Sequence, residues 1–381
     1  MAHELVPGLE GIPIAESEIS FVDGQNGLLE YRGIRIEALA EHGTFEETAY
    51  LLLNGKLPNQ EALDAFSYDL TNHRRLRDNI IELIKCLPES GHPMDALQAA
   101  AAALGMFYPA KDVSDDEENY LSCIRLIAKL PTIVAAFERI RAGDEAIQPR
   151  DDLGHAANFL YMLTGAEPDP VSTNALDVCL ILHADHTMNA STFSGRVTGS
   201  TLADPYTVVS SAIGTLTGPL HGGANERVLD MLNEIGSVEN ATPYIEVKLA
   251  NRDRIMGFGH RVYKTWDPRA KILQRMAAEL SEAHGSSDLY RVAQKTDEVV
   301  TEHLGTKGIY ANVDFYSGIV YHQLGIPQDA FTPIFAMARV GGWLAHWREQ
   351  LVDNRIFRPT QIYSGEHDVE YVPMAQRADS A

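Results

Sequence analysis

At 381 residues the chain exceeds a usual single domain, so two domains, or one large core carrying an insertion, are expected. Its 45% hydrophobic and 22% charged content is that of an ordinary folded, soluble protein and argues against disorder away from the ends. The 53 acidic against 31 basic residues give a formal charge of −22, which argues against a nucleic acid or an anionic membrane as partner.

A negative ligand remains possible if local arginines overcome that field, because charges beyond roughly 8 Å are screened at physiological salt. The acid surplus also suits solvation in a salty cytoplasm. The start, "MAHELVPGLEGIP", lacks a basic region followed by an apolar run, and no stretch reads as about 18 apolar residues. The chain is therefore read as cytoplasmic. Cys86, Cys123 and Cys179, odd in number and set in apolar helical context, read as small core residues of a reducing compartment.

"SEISFVDGQNGLLEYRG" alternates apolar and polar residues around Asp23-Gly24 and Asn26-Gly27, which predicts a short hairpin. Helical periodicity dominates afterwards. "TFEETAYLLLNG" starts on a threonine with a glutamate three residues later and ends on glycine, as a capped helix does. The Ala-rich "DALQAAAAALGMFYP" predicts a close-packed helix. In "LDVCLILHADHTMNAST", His183 and His186 stand three apart and so share a face of a buried helix. With Asp185 they read as metal ligands, as satisfied buried histidines, or as ligand-binding groups.

"GTLTGPLHGGANERVLDML" places His221 just before a helix start. There the positive helix end favours a neutral imidazole able to donate a hydrogen bond. "GFGHRVYKTWDPRA" follows, with Asp267 as N-cap and Pro268 as first helical residue. Arg269 then sits in the first turn, where the dipole disfavours a cation, so it reads as an anion receptor or as half of an acid pair. His260 lies nine residues before it, on a glycine-flanked turn. In "IYANVDFYSGIVYHQLGIP", Asp314 opens an apolar helix, where the helix end lowers and desolvation raises its pKa. In "FTPIFAMARVGGWLAHWREQLVDNRIFRPT", Arg339 interrupts an apolar run and must meet a carboxylate or a ligand, Gly341-Gly342 permit close packing, and Arg358 lies in a turn beyond. The tail "MAQRADSA" is expected to fray.

Three arginines, three histidines and one aspartate, without metal ligands or a nucleophile triad, suit a small di- or tricarboxylate bearing a carbonyl. Arginines would grip carboxylates, histidines would polarise carbonyls, and the aspartate would take a proton.

"LHGGAN", "GFGHRVYKTWDPRA" and "NVDFYSG", in this order, resemble the signatures of the citrate synthase family, and "HADHTMNAST" and "RPTQIYSGE" match its flanking motifs. The resemblance runs from "GLEGIP" to "YSGE", in the manner of the shorter bacterial and archaeal members. It implies an all-α, two-domain fold with a small N-terminal β-hairpin: a large domain from residues 1–221 and 331–381, a small one from 222–330, and the active site in the cleft. It implies condensation of acetyl-CoA with oxaloacetate and hydrolysis of citryl-CoA, the entry to the tricarboxylic acid cycle. His221, His260 and Asp314 would be catalytic. His186, Arg269 and Arg339 would bind oxaloacetate, together with Arg358 supplied across a homodimer. Gly257, Phe258, Gly259, Lys264 and Lys307 would contact CoA. The resemblance implies no metal and no permanently bound cofactor, acetyl-CoA being a co-substrate. Two rival readings stand beside it: a 2-methylcitrate synthase using propionyl-CoA, and a metal-dependent helical hydrolase built on "HADH".

Overall fold

The computed structural model describes residues 5–377 except 111 and 286; the outermost residues of the start and of the tail read as frayed lie outside the described residues. The predicted hairpin forms from β1 (Ser20–Asp23) and β2 (Leu28–Tyr31), and a short third strand that the sequence reading missed, β3 (Ile34–Arg35), continues the antiparallel order. Asp23 makes the turn by accepting the backbone N–H groups of Gln25 and Asn26 on its carboxylate, while Gly27 takes a φ of 64°.

Helices follow as far as Val352: α1 (Ile36–His42), α2 (Phe45–Asn54), α3 (Gln60–His73), α4 (Asp78–Lys85), α5 (Pro93–Phe107), α6 (Asp116–Arg141), α7 (His155–Thr164) and α8 (Pro170–His183). Then come α9 (Ala190–Gly199), α10 (Pro205–Leu216), α11 (Ala224–Ile235), α12 (Val238–Asn251), α13 (Pro268–His284), α14 (Asp288–Leu304), α15 (Val313–Gln323) and α16 (Phe331–Val352). The fold is thus mostly helical with one small sheet at its N-terminal side. Local rules explain many boundaries. Thr44 and Glu47 close a reciprocal capping box on α2, and Gly55 ends it in the left-handed region.

Charged residues such as Arg125 and Lys129 interrupt the 26-residue α6, yet by length and mean hydropathy it matches a membrane span. In the fold 83% of that window is buried, so it is a core helix. Cys86 departs from expectation. It lies just past the end of α4 and is exposed, whereas Cys123 and Cys179 are buried as expected.

At the centre of the packing is α16, which touches α2, α5, α6, α8, α9, α10 and α11 and buries Trp343, Trp347 and Arg339 almost completely. α11 and α13 pack on α15, and α12 on α14, while α13 also reaches α8 and α1. Close approach of α16 to the chain after α8 depends on Gly342, whose N–H donates to Ala184 O at 3.1 Å. A Cβ there would lie 2.4 Å from that oxygen and from Asp185 Oδ1. Gly342→Ala is expected to cost about 1–3 kcal/mol. Gly341→Ala, whose Cβ would meet nothing nearer than Leu52 Cδ1 at 3.9 Å, is expected to be near neutral. Thermal unfolding of both variants checks this; equal melting temperatures would contradict it.

Candidate active site

The "HADH" segment does not form one helix face. α8 ends at His183, because the Tyr31 hydroxyl from the hairpin donates to Asp185 O at 2.8 Å and accepts from Asp185 N at 3.1 Å, taking up backbone groups a helix would need. His183 turns inward. Its Nδ1 donates to Cys179 O at 2.7 Å, the ring packs against Tyr321 and Phe335, and burial pushes its pKa down to about 3. Asp185 accepts from Ser20 Oγ and Thr187 N and lies 3.3 Å from His346 Nε2. Burial works against its charge, but His346, Arg339 and Ser20 outweigh it and hold the carboxyl below its usual value. Among the described residues no three His, Cys, Asp or Glu side chains are grouped as metal ligands would be. Only His186, the last of the motif, joins the groups described next.

His221 sits in the turn between α10 and α11, two residues before the N-cap Gly223, which takes a φ of 67°. Its neighbour Gly222 leaves no room for a side chain, since a Cβ would stand 2.1 Å from Leu216 O. The helix end that meets the ring is that of α9 rather than α11: the Ser191 N–H in its first turn donates to His221 Nε2 at 3.3 Å. A backbone amide only donates, so Nε2 carries no proton and the neutral ring carries it on Nδ1. Ser191 Oγ stands 2.8 Å from the same nitrogen and accepts from Trp343 Nε1 at 3.0 Å. Burial, then Arg339, push the His221 pKa down to about 4.

The glycine-flanked turn is pinned to the segment that leads into α15. Gly259 N–H donates to Tyr310 O and Asn312 N–H to Gly257 O, both at 2.9 Å, with a bridge between Phe258 and Ala311. Gly257 is required on both counts, with φ 78° and a Cβ position 2.7 Å from Val228 and 2.8 Å from Phe315. His260 Nδ1 accepts the N–H groups of Val262 at 3.0 Å and Tyr263 at 3.3 Å, which leaves Nε2 as its protonated nitrogen. Burial, then Arg269, push its pKa down to about 4. Its ring meets that of His186 edge-on, centroids 5.4 Å apart. His186 is held well below its ordinary value by burial and by Arg269, His260 and Arg339.

Arg269 occupies the first turn of α13 as the sequence indicates, but the residue answering its charge is the N-cap itself. Asp267 accepts Arg269 Nε at 3.0 Å, Nη2 at 2.8 Å and the Arg269 backbone N–H, and both residues are 2% exposed. The sequence reading treated Asp267 only as a cap. Among the described residues Arg269 Nη1 has no protein acceptor. Arg339 shows the same incompleteness: its Nε donates to His183 O at 2.6 Å and it lies over Phe335, yet neither Nη nitrogen has a protein acceptor there. Burial pushes its pKa down to about 10. Such a buried cation calls for an anion.

Asp314 is the second residue of α15, its N–H held by Asn312 Oδ1 at 3.0 Å. It is half-buried. Of the two opposed effects, desolvation wins and pushes the carboxyl up to about 6, against the pull of Arg269, Arg227 and Arg339 and with a push from Asp267. The mutual electrostatics of these groups place His186, His221, His260, Arg269, Arg339 and Asp314 in one neighbourhood. Tyr263, Ser191, Trp343 and Asn312 are members that sequence reasoning missed; only Tyr263, three residues after His260, carried a local signal.

Three predicted residues are surface-exposed, Lys264 near enough to His260 to help lower its pKa. Arg358 is exposed beyond α16, where the chain is anchored by Phe357 N–H to Ser200 Oγ and by Phe357 against Phe193. Lys264 and Lys307 are exposed and adjacent to each other: Gly308 approaches so closely that a Cβ would stand 2.4 Å from Lys264 O.

The family model described as "Citrate synthase, C-terminal domain" matches residues 8–360. The citrate synthase of a Synechocystis species is 60% identical over 98% of this chain and 94% of its own length, and that of Acidithiobacillus ferridurans is 57% identical over 97% and 98%. Among solved structures, the citrate synthase of Pyrobaculum aerophilum superposes with a TM-score of 0.92 at 43% identity, covering 98% of this chain and 95% of that one. A ternary complex of carboxymethyl coenzyme A and oxaloacetate with the enzyme of Thermoplasma acidophilum superposes with 0.93 at 33% identity, covering 99% and 100%. Neither the propionyl-CoA nor the hydrolase reading is favoured by these relatives. The chain belongs to the citrate synthase family and is an acyltransferase that forms citrate.

Proposed function

We propose that Asp314, His221 and His260 carry out this condensation, with His186, Arg269 and Arg339 holding oxaloacetate. What supports the assignment above all is the pairing of protonation states: one carboxyl near 6 beside two histidines kept neutral, each locked by backbone N–H groups in a defined tautomer. Asp314 removes a methyl proton from acetyl-CoA while His221 Nδ1–H donates to the thioester oxygen. A thioester C–H is too weak an acid for a carboxylate unless that oxygen is stabilised at the same moment. The enol carbon then attacks the keto carbon of oxaloacetate, whose oxygen takes the proton of His260 Nε2. Water attacks the citryl thioester, and CoA leaves as the thiol with citrate as the acid. The unfilled donors of Arg269 and Arg339 hold the carboxylates, as charge-assisted bonds to guanidinium suit.

In this reading α11–α15, within residues 222–330, are a small domain that closes on the large one once oxaloacetate draws groups of both together. Two chains form a homodimer in which Arg358 completes the partner's site. Its exposure without a protein partner among the described residues supports this, as do the exposed Ile362, Tyr363 and Tyr371 further along. CoA runs past the backbone of Gly257, Phe258 and Gly259, with Lys264 and Lys307 at its phosphates. No cofactor is permanently bound, and the enzyme works in the cytoplasm at the entry to the tricarboxylic acid cycle.

Asp314→Ala is expected to lower oxaloacetate-dependent thiol release from acetyl-CoA by roughly 10²–10⁴-fold while oxaloacetate still binds; undiminished release would contradict the assignment. Because the base acts ionised and its carboxyl sits near 6, kcat/KM is expected to be level from about pH 7 to 8, to be about halved near pH 6 and to approach a tenfold fall per unit below about pH 5. A profile that stays level down to pH 4 would contradict it. Mixing Asp314→Ala with Arg358→Ala chains after reversible dissociation is expected to recover about a quarter of wild-type activity, since each mixed dimer regains one whole site. No recovery would place Arg358 outside the partner's site.

A further inference from the structure

One buried residue touches each of three substrate-facing groups and has no role in the scheme above. Tyr263, 2% exposed, lies with its ring 4.8 Å from that of His260 and 5.8 Å from the Arg269 guanidinium. Its backbone N–H donates to His260 Nδ1, and its hydroxyl stands 3.2 Å from His186 Nε2. Its neighbours are fixed from outside the loop: Lys264 N–H donates to Gly24 O at 2.9 Å, and Gly24 packs so tightly that a Cβ would be 2.1 Å from Val262 O. The hairpin tip therefore holds Tyr263 from behind.

A buried phenol O–H needs an acceptor, and His186 Nε2 is its single partner among the described residues. Resting on the assignment of His186 to oxaloacetate, we propose that Tyr263 is a positioning residue: its hydroxyl donates to His186 Nε2 and so fixes the proton on Nδ1, the nitrogen left to donate to the keto acid. Burial raises the phenol pKa above its ordinary value, so the O–H remains a donor throughout the working pH range. Without that hydroxyl the buried imidazole is free to exchange tautomers, and the form that donates to oxaloacetate loses population. The acetyl-CoA side, served by His221 and Asp314, is untouched by this bond.

Tyr263→Phe keeps the ring against His260 and Arg269 and deletes only the hydroxyl. In the purified full-length enzyme it is expected to raise the KM and the calorimetric Kd of oxaloacetate by about tenfold, while the KM of acetyl-CoA moves less than about twofold. Adding it to His186→Gln is expected to weaken oxaloacetate binding no further, because the pathway through His186 is already gone. An unchanged oxaloacetate KM, an equal rise in both KM values, or full additivity in the double variant would each overturn the proposal. Absence of oxaloacetate binding by the wild-type protein would instead sink the parent assignment, whereas wild-type binding with an unmoved Tyr263→Phe sinks only this inference.

Discussion

Asp267 is the residue on which the site's geometry turns. It caps α13 through the Arg269 N–H, takes the Arg269 guanidinium on both oxygens, and accepts the Val313 N–H that opens α15. One buried carboxylate thereby fixes a cation and the start of the helix carrying Asp314. Breaking a buried pair of this kind by removing one partner costs on the order of 3–5 kcal/mol, which makes it a rigid reference point. The negative charge of Asp267 also offsets Arg269 locally, and the guanidinium keeps one nitrogen free for an external anion.

Neutral histidines are the second constraint. In most proteins an imidazole beside carboxylates titrates near neutral pH, but His221 and His260 are buried near Arg339 and Arg269 and both fall to about 4. Each accepts backbone N–H groups on one nitrogen, so the other is the donor by elimination. The same cations that await the substrate's carboxylates thus add to burial in keeping the histidines neutral, and ionisation of Asp314 is favoured by them against its burial. Binding charge and catalytic protonation states come from one set of side chains, inside a chain whose formal charge is −22.

How much of this was legible in the sequence follows from the range of the contacts involved. The Thr44–Glu47 box, the hairpin turn at Asp23, the Asp267-Pro268 helix start and the opening of α15 at Asp314 depend on neighbours a few residues away, and all four stand in the structure. The "HADH" segment reads as a helix face because its spacing is helical. Tyr31, more than 150 positions earlier, ends that helix. His221 was expected to be neutral because of the helix after it, whereas burial, Arg339 and the first turn of α9 are what act on it. The role of Asp267 as counter-ion was missed because its capping role already explained it, and Tyr263 because its place three residues after His260 gives no hint that its hydroxyl will meet a histidine 77 positions away.

The central claim is that His221 and His260 are neutral at working pH, protonated on Nδ1 and Nε2 respectively, while Asp314 is ionised. Nitrogen-15 NMR of the histidine-labelled enzyme at pH 7 tests it most directly, with each signal assigned by substitution. The account predicts one ring with the shift pattern of the Nδ1–H tautomer and the other with that of the Nε2–H tautomer. An imidazolium pattern at either position, or the two tautomers exchanged, would contradict it.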